Sequence, residues 1–171
     1  MTWYADRHAG RPRSAVLQDV MAFAETRQDG HLPWTEVNGT QDAFGTPADL
    51  LGALQMRWHT RLSGAIEREL TEQPWDLPGA VLHAWRALRA EMPGVRAILD
   101  AHADDEAMQR ARRKEWVLLA TASGLTAMDD PAAPRIGRQL EERARAVTVV
   151  KSAQASRASG WFSRIRHALA A

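Results

Sequence analysis

Residues 50–70 read LLGALQMRWHTRLSGAIEREL and carry the longest helical pattern in the sequence. At about 100° per residue, the apolar side chains of this stretch share one wide face. They are Leu51, Leu54, Trp58, Leu62, Ala65 and Ile66. Because Trp58 and Leu62 lie at the centre of that face, we expect both of them in the protein core.

The residues before this stretch predict where its helix begins. Thr46 can cap the first turn through its hydroxyl, Pro47 suits the first helical position, and Asp49 places a carboxylate near the positive end of the helix dipole. The helix should end near Pro74, because proline cannot continue a helix.

The rest of the chain predicts helices packed around this one. Helical patterns follow the candidate caps Ser14 and Asp76, then cover residues 95–102 and 105–123 with Asp104 as a cap, and a last long helix follows Pro131. Residues 28–46 have no helical period and predict an ordered loop or a small hairpin, which buries Trp34, Val37 and Phe44. The fold class is therefore all-α, a single-domain bundle of five to seven helices. Its bounds are residues 1–155, and residues 156–171 form a spacer and a basic amphipathic tail helix.

Length, composition and net charge exclude several classes of protein. A chain of 171 residues can bury a core without disulfides, and it has no cysteine to form one. No apolar run reaches the ~18 to 20 residues of a membrane-spanning helix, and the first residues lack a signal-peptide pattern, so we expect a cytoplasmic protein. A net charge of +1 argues against general binding to nucleic acid.

The charges are unevenly distributed along the chain. Residues 143–171 carry six bases and no acid, whereas residues 1–142 carry all 21 acids. In the tail, the apolar side chains of Trp161, Phe162 and Ile165 share one side and Arg164 and Arg166 the other. This helix could dock on the body, on a second copy or on an anionic membrane surface.

No catalytic or metal-binding motif stands out. The six histidines do not form pairs at helical metal-ligand spacing, and the Gly-rich phosphate-binding and nucleophile motifs do not occur. The sequence thus predicts no catalytic residue, no metal and no cofactor, and gives no support for an enzyme.

Several polar or aromatic residues lie where a ligand could reach them. Gln55 and His59 border the apolar face of the long helix, and with Trp58 and Trp85 they could line a small-molecule pocket. Glu115 falls among apolar positions of its helix, so we expect it to be at least half buried. It should line the pocket or pair with an arginine of another helix, for which Arg143 and Arg86 are the candidates.

Trp116 lies off the apolar face of the same helix and should contact another helix, a ligand or a second subunit. These patterns predict a non-catalytic binding or interaction module that could bind a protein partner or form a homodimer. The main alternative is a small-molecule-binding helical pocket. The third is contact with an anionic membrane or nucleic acid through the tail, from Trp161 to Arg166.

Overall fold

A computed structural model describes residues 11–72 and 75–146, which form seven helices and no strand. The prediction of an all-α fold is confirmed. The helices are α1 (Arg13–Arg27), α2 (Thr40–Phe44), α3 (Pro47–Glu72), α4 (Leu77–Glu91), α5 (Pro93–Ala101), α6 (Glu106–Ala122) and α7 (133–146), and α7 is helical to the last described residue.

The long helix α3 is the centre of the bundle and packs against α1, α2, α4, α5 and α6. It begins as predicted, because the Thr46 hydroxyl accepts a hydrogen bond from the Asp49 backbone N–H at 3.1 Å and donates one to the Asp49 carboxylate at 2.6 Å. Trp58 and Leu62 are fully buried, so the predicted core face is confirmed.

Residues 28–46 are not entirely a loop, and no hairpin forms there. The short helix α2 lies within this stretch, and Gly39 precedes it with φ of +86°, a left-handed conformation that glycine adopts easily. Phe44 is buried, while Trp34 and Val37 are half-buried against the core. Burial of these side chains holds the segment in place, as the sequence predicted.

Of the other three predicted helix caps, two are wrong and one is confirmed. The residue before α1 is Pro12 rather than Ser14, and the residue before α6 is Asp105 rather than Asp104, with no side-chain capping bond at either position. The Asp76 carboxylate does accept a hydrogen bond from the Gly79 backbone N–H at 2.9 Å.

Close backbone contacts fix the positions of α5 and α7. The Glu25 carboxylate of α1 accepts hydrogen bonds from the first turn of α5, at 2.8 Å from Gly94 N and 3.2 Å from Val95 N. At Gly137, α7 lies so close to α6 that a Cβ would overlap the carbonyl of Trp116. None of the helices in residues 11–72 and 75–146 is long and apolar enough to cross a membrane.

Candidate functional site

A groove of about 430 Å³ runs between the N-terminal half of α3 and the start of α6. Apolar side chains form most of its walls, and Met56, which is 65% exposed, lies at its rim. The apolar lining residues are Ala48, Leu51, Gly52, Met56, Ala107, Met108 and Ala111, and the polar ones are Gln55, His59, Asp105, Arg110 and Lys114.

Small residues line the groove on both helices. They are Ala48 and Gly52 on α3 and Ala107 and Ala111 on α6, and none of these side chains is large enough to fill the space. A Cβ placed on Gly52 would meet no atom within 4 Å. The gap is therefore a property of the sequence, since larger residues at these positions would close it.

Gln55 is the most deeply buried polar residue of the groove, at 6% exposed. Its amide Nε2 donates a long hydrogen bond of 3.4 Å to Glu115 Oε2, whereas its Oε1 has no hydrogen-bond partner in the described part of the chain. The opposite assignment of the amide would direct oxygen at a carboxylate, so the nitrogen belongs on the Glu115 side. Gln55 therefore retains an unused acceptor.

Glu115 lies behind the groove and is only 2% exposed, so its predicted burial is confirmed. Its Oε1 accepts hydrogen bonds from Trp85 Nε1 at 3.2 Å and from Arg96 Nη1 at 3.4 Å. The predicted arginine partners are wrong: Arg143 is exposed, and Arg86 donates instead to the backbone carbonyl of Ala144 at 3.3 Å.

Arg96, on α5, is 2% exposed and packs against both core tryptophans. Its guanidinium carbon lies 5.0 Å from the ring centre of Trp58 and 5.9 Å from that of Trp85, and the two rings meet edge to face at 6.2 Å. The sequence contained a signal for this residue, because Arg96 falls one turn from Met92 and beside Val95 on the apolar face of α5. Arg96 is thus a charged residue among apolar positions of its helix, as Glu115 is.

A second layer of charge joins α5 to α7. The Arg145 guanidinium donates to both carboxylate oxygens of Asp100, at 2.7 and 2.8 Å, and to Glu141 Oε1 at 2.6 Å. Arg96 also donates to Asp100 Oδ1, at 2.6 Å from its Nη2. Every charged group of this cluster has an oppositely charged partner, so the cluster aligns α5, α6 and α7.

The titration of these groups reflects their pairing. Burial alone would raise the pKa of Asp100, but the hydrogen bonds from Arg145 and the charge of Arg96 outweigh it and lower that pKa to about 2. Burial would likewise raise the pKa of Glu141, and the charge of Arg96 with the hydrogen bond from Trp116 holds it below its usual value. For Arg145, burial opposes the charged form, yet hydrogen bonds to Asp100 and Glu141 raise its pKa.

The structure divides the predicted pocket into two neighbouring features. Gln55 and His59 line the groove, whereas Trp58, Trp85 and Glu115 form the buried cluster around Arg96. That any of these residues binds a ligand stays a prediction.

Trp116 contacts another helix, because its Nε1 donates to Glu141 Oε2 of α7 at 2.6 Å. Arg112, one turn earlier on α6, lies over its ring at 5.2 Å. The predicted tail contacts at Trp161, Phe162, Arg164, Ile165 and Arg166 lie outside the described residues.

No group of three or more His, Asp or Glu side chains in the described ranges is placed to hold a metal ion. Most of the polar groups of the buried cluster are already paired with one another, so the groove between α3 and α6 is the better candidate for a binding site. Comparison of the chain with protein-family models, with curated proteins and with solved structures finds no match.

Proposed function

We propose that this domain is a non-catalytic binding protein and that its site, the groove between α3 and α6, takes an apolar small molecule. The observation that carries the proposal is the groove itself, about 430 Å³ of space with mostly apolar walls. Pockets for small molecules occupy roughly 300 to 1,000 Å³ and combine apolar walls with a few polar groups. Gln55 and His59 supply such groups here.

The shape of the site favours a small molecule over a flat protein contact. Two helices bound the groove on both sides, and the buried residue Gln55 lies in its wall. Each methylene of a ligand buried in it would contribute about 0.8 kcal/mol. A linear or narrow apolar molecule would therefore gain binding energy along the whole groove.

Binding of the neutral fluorophore N-phenyl-1-naphthylamine to the full chain tests the proposal. Gly52→Phe should weaken binding about tenfold or more, because Gly52 lies in the groove wall and the new ring would occupy the ligand's space. Gly64→Phe is the matched control, since Gly64 is on the same helix and does not line the groove.

Saturable binding that only Gly52→Phe weakens would support the groove as the site. If the fluorophore does not bind saturably, or if both variants bind it as tightly as the original chain does, the groove is not a small-molecule site.

A second candidate, self-association or a protein contact, is favoured by exposed apolar side chains at one end of the bundle. Trp75 is 97% exposed, Met128 77% and Leu125 50%. The two connections that carry them lie side by side, because a Cβ on Gly124 would be 3.1 Å from Leu77 Cδ1. Apolar side chains grouped at a surface are typical of interaction sites.

Light scattering during size-exclusion chromatography tests this second candidate. Trp75→Ser with Met128→Ser should convert an oligomer of the full chain into a monomer, because both side chains would lose their apolar contact across the interface. Met56→Ser is the control, since Met56 is also apolar and exposed, at 65%, but lies at the groove. A chain that is monomeric before substitution would exclude self-association through this end.

A further inference from the structure

From the charges at the groove we infer that its ligand is an amphiphile with an anionic head, such as a medium-chain carboxylic acid, and that Lys114 binds the head. This inference rests on the proposed function, because it specifies what kind of apolar molecule the same groove takes. The ligand is the free acid rather than a peptide or a membrane lipid.

Lys114 is the cation of the groove that is free to bind a ligand. Within residues 11–72 and 75–146, no ion pair or hydrogen bond engages its ammonium group, whereas Arg110 is paired with Glu106 one turn before it. An unpaired ammonium beside apolar walls favours a molecule that joins an anion to an apolar chain. His59 lies at the same end, since it is one turn from Gln55, which contacts Glu115, the residue after Lys114. It adds a ring N–H that can donate to a carboxylate.

The acid of the groove lies at its other end and does not oppose an anionic head. Asp105 precedes α6 and Lys114 follows nine residues later, a separation of about 13 Å along the helix axis. Glu115, next to Lys114, is buried and paired with Arg96. The anionic head of the ligand should therefore bind at the Lys114 end of the groove, with its hydrocarbon chain extending toward Asp105.

The length of the groove sets the length of the ligand's hydrocarbon chain. An extended chain advances about 1.2 Å per bond, so ten to twelve carbons, roughly, would span the distance from Lys114 to Asp105. The C-terminal segment of the protein is a poorer occupant of the groove than such an acid, because residues 147–171 carry Lys151, three arginines and no acidic side chain. Their charge has the same sign as that of Lys114 and Arg110.

Isothermal titration of the full chain with decanoate, 1-decanol and decylamine tests the inference. Decanoate should bind about five- to tenfold more tightly than the alcohol, and the amine more weakly than both, because only the acid pairs with Lys114. Lys114→Met should remove the preference for decanoate and leave the affinity for the alcohol unchanged. Arg113→Met is the matched control, since this neighbouring base is exposed and does not line the groove.

The outcomes separate the inference from the proposed function. Equal affinities for acid and alcohol, or a preference for the amine, would overturn the inference and leave the groove as a site for neutral or cationic apolar molecules. Binding of none of the three probes would overturn both. Vesicles of phosphatidylglycerol supply the same chemistry from a membrane: if they bind in a Lys114-dependent way while decanoate does not, the free acid is the wrong ligand.

Discussion

Helix α6 meets the bundle in two different ways on two of its sides. Toward α4, α5 and α7 its side chains are charged or aromatic, and Glu115 and Trp116 each hydrogen-bond to another helix. Toward the start of α3 it presents the small side chains of Ala107 and Ala111, and a groove of about 430 Å³ separates the two helices. On the side of α4, α5 and α7, polar groups form hydrogen bonds and ion pairs with one another. On the side of α3, the helices leave an unfilled groove.

The difference shows which kind of residue closes an interface and which opens one. Two glycines make the contrast direct, because a Cβ at Gly137 would overlap the α6 backbone, whereas a Cβ at Gly52 would meet nothing within 4 Å. Polar residues in a packed interior are therefore no sign of a binding site when they are paired. The candidate site lies where the chain has small residues on both sides of a gap.

The largest effect on stability should come from breaking the buried ion pair between Arg96 and Glu115. Arg96→Met would leave the Glu115 carboxylate buried without its cation, which should lower the free energy of unfolding by about 3 to 5 kcal/mol. Urea denaturation measures the change. Arg138→Met is the control, because the Arg138–Glu142 ion pair is exposed and should contribute less than ~1 kcal/mol.

A double-mutant cycle identifies the partner of Glu115. Glu115→Gln combined with Arg96→Met should deviate from additivity by more than ~0.5 kcal/mol, whereas Glu115→Gln combined with Arg143→Met should be additive. Additivity in the first cycle would mean that the contact between Arg96 and Glu115 does not contribute to stability.

The next effect concerns the close approach of α7 to α6. Gly137→Ala should lower the free energy of unfolding by about 1 to 3 kcal/mol, because its methyl group would overlap the carbonyl of Trp116 and force the helices apart. Thermal and urea unfolding measure the loss. An unchanged or increased stability would show that α7 does not lie against α6 at this position.

Acid should weaken the charged cluster. The pKa of Asp100 is lowered to about 2 from 3.8, so its contribution is complete above pH ~4 and is lost as the pH falls toward 2. Because the Asp100 side chain is partly exposed, at 31%, we expect a loss of about 1 to 2 kcal/mol over this range. Urea unfolding at several pH values measures it.

Asp100→Asn should remove this part of the acid sensitivity, and Asp129→Asn, at an exposed loop position, should not. If the original chain and Asp100→Asn lose stability in parallel between pH 4 and 2, Asp100 is not the group that titrates.

The helices and the core could be predicted from the sequence because they follow local periodicity. The face of α3 around Trp58 and Leu62 is buried as expected, and the caps at Thr46 and Asp76 form. The burial of Glu115 also followed from its position among apolar residues. These features depend on the order of residues along one helix.

The partner of Glu115 and the groove could not be predicted in this way, because both depend on how separate helices approach one another. By periodicity Arg143 falls among the apolar positions of α7, yet it is exposed, and Arg96 reaches Glu115 from α5 instead. The groove has small residues on both helices, such as Gly52 and Ala111, and the pattern of one helix cannot show which residues of another helix it meets.

The smallest effect on the free energy of unfolding should be a gain rather than a loss, and it comes from a substitution in the groove wall. Gly52→Ala is the same chemical change as Gly137→Ala, but Gly52 is exposed within α3 and its added methyl group would meet no atom within 4 Å. Alanine favours the helix over glycine by about 0.5 to 1 kcal/mol, so the free energy of unfolding should rise by that amount. Urea unfolding of the two variants side by side measures both signs. A loss of stability in Gly52→Ala would show that α3 and α6 close the groove in solution, and both proposals for its ligand would then lack a site.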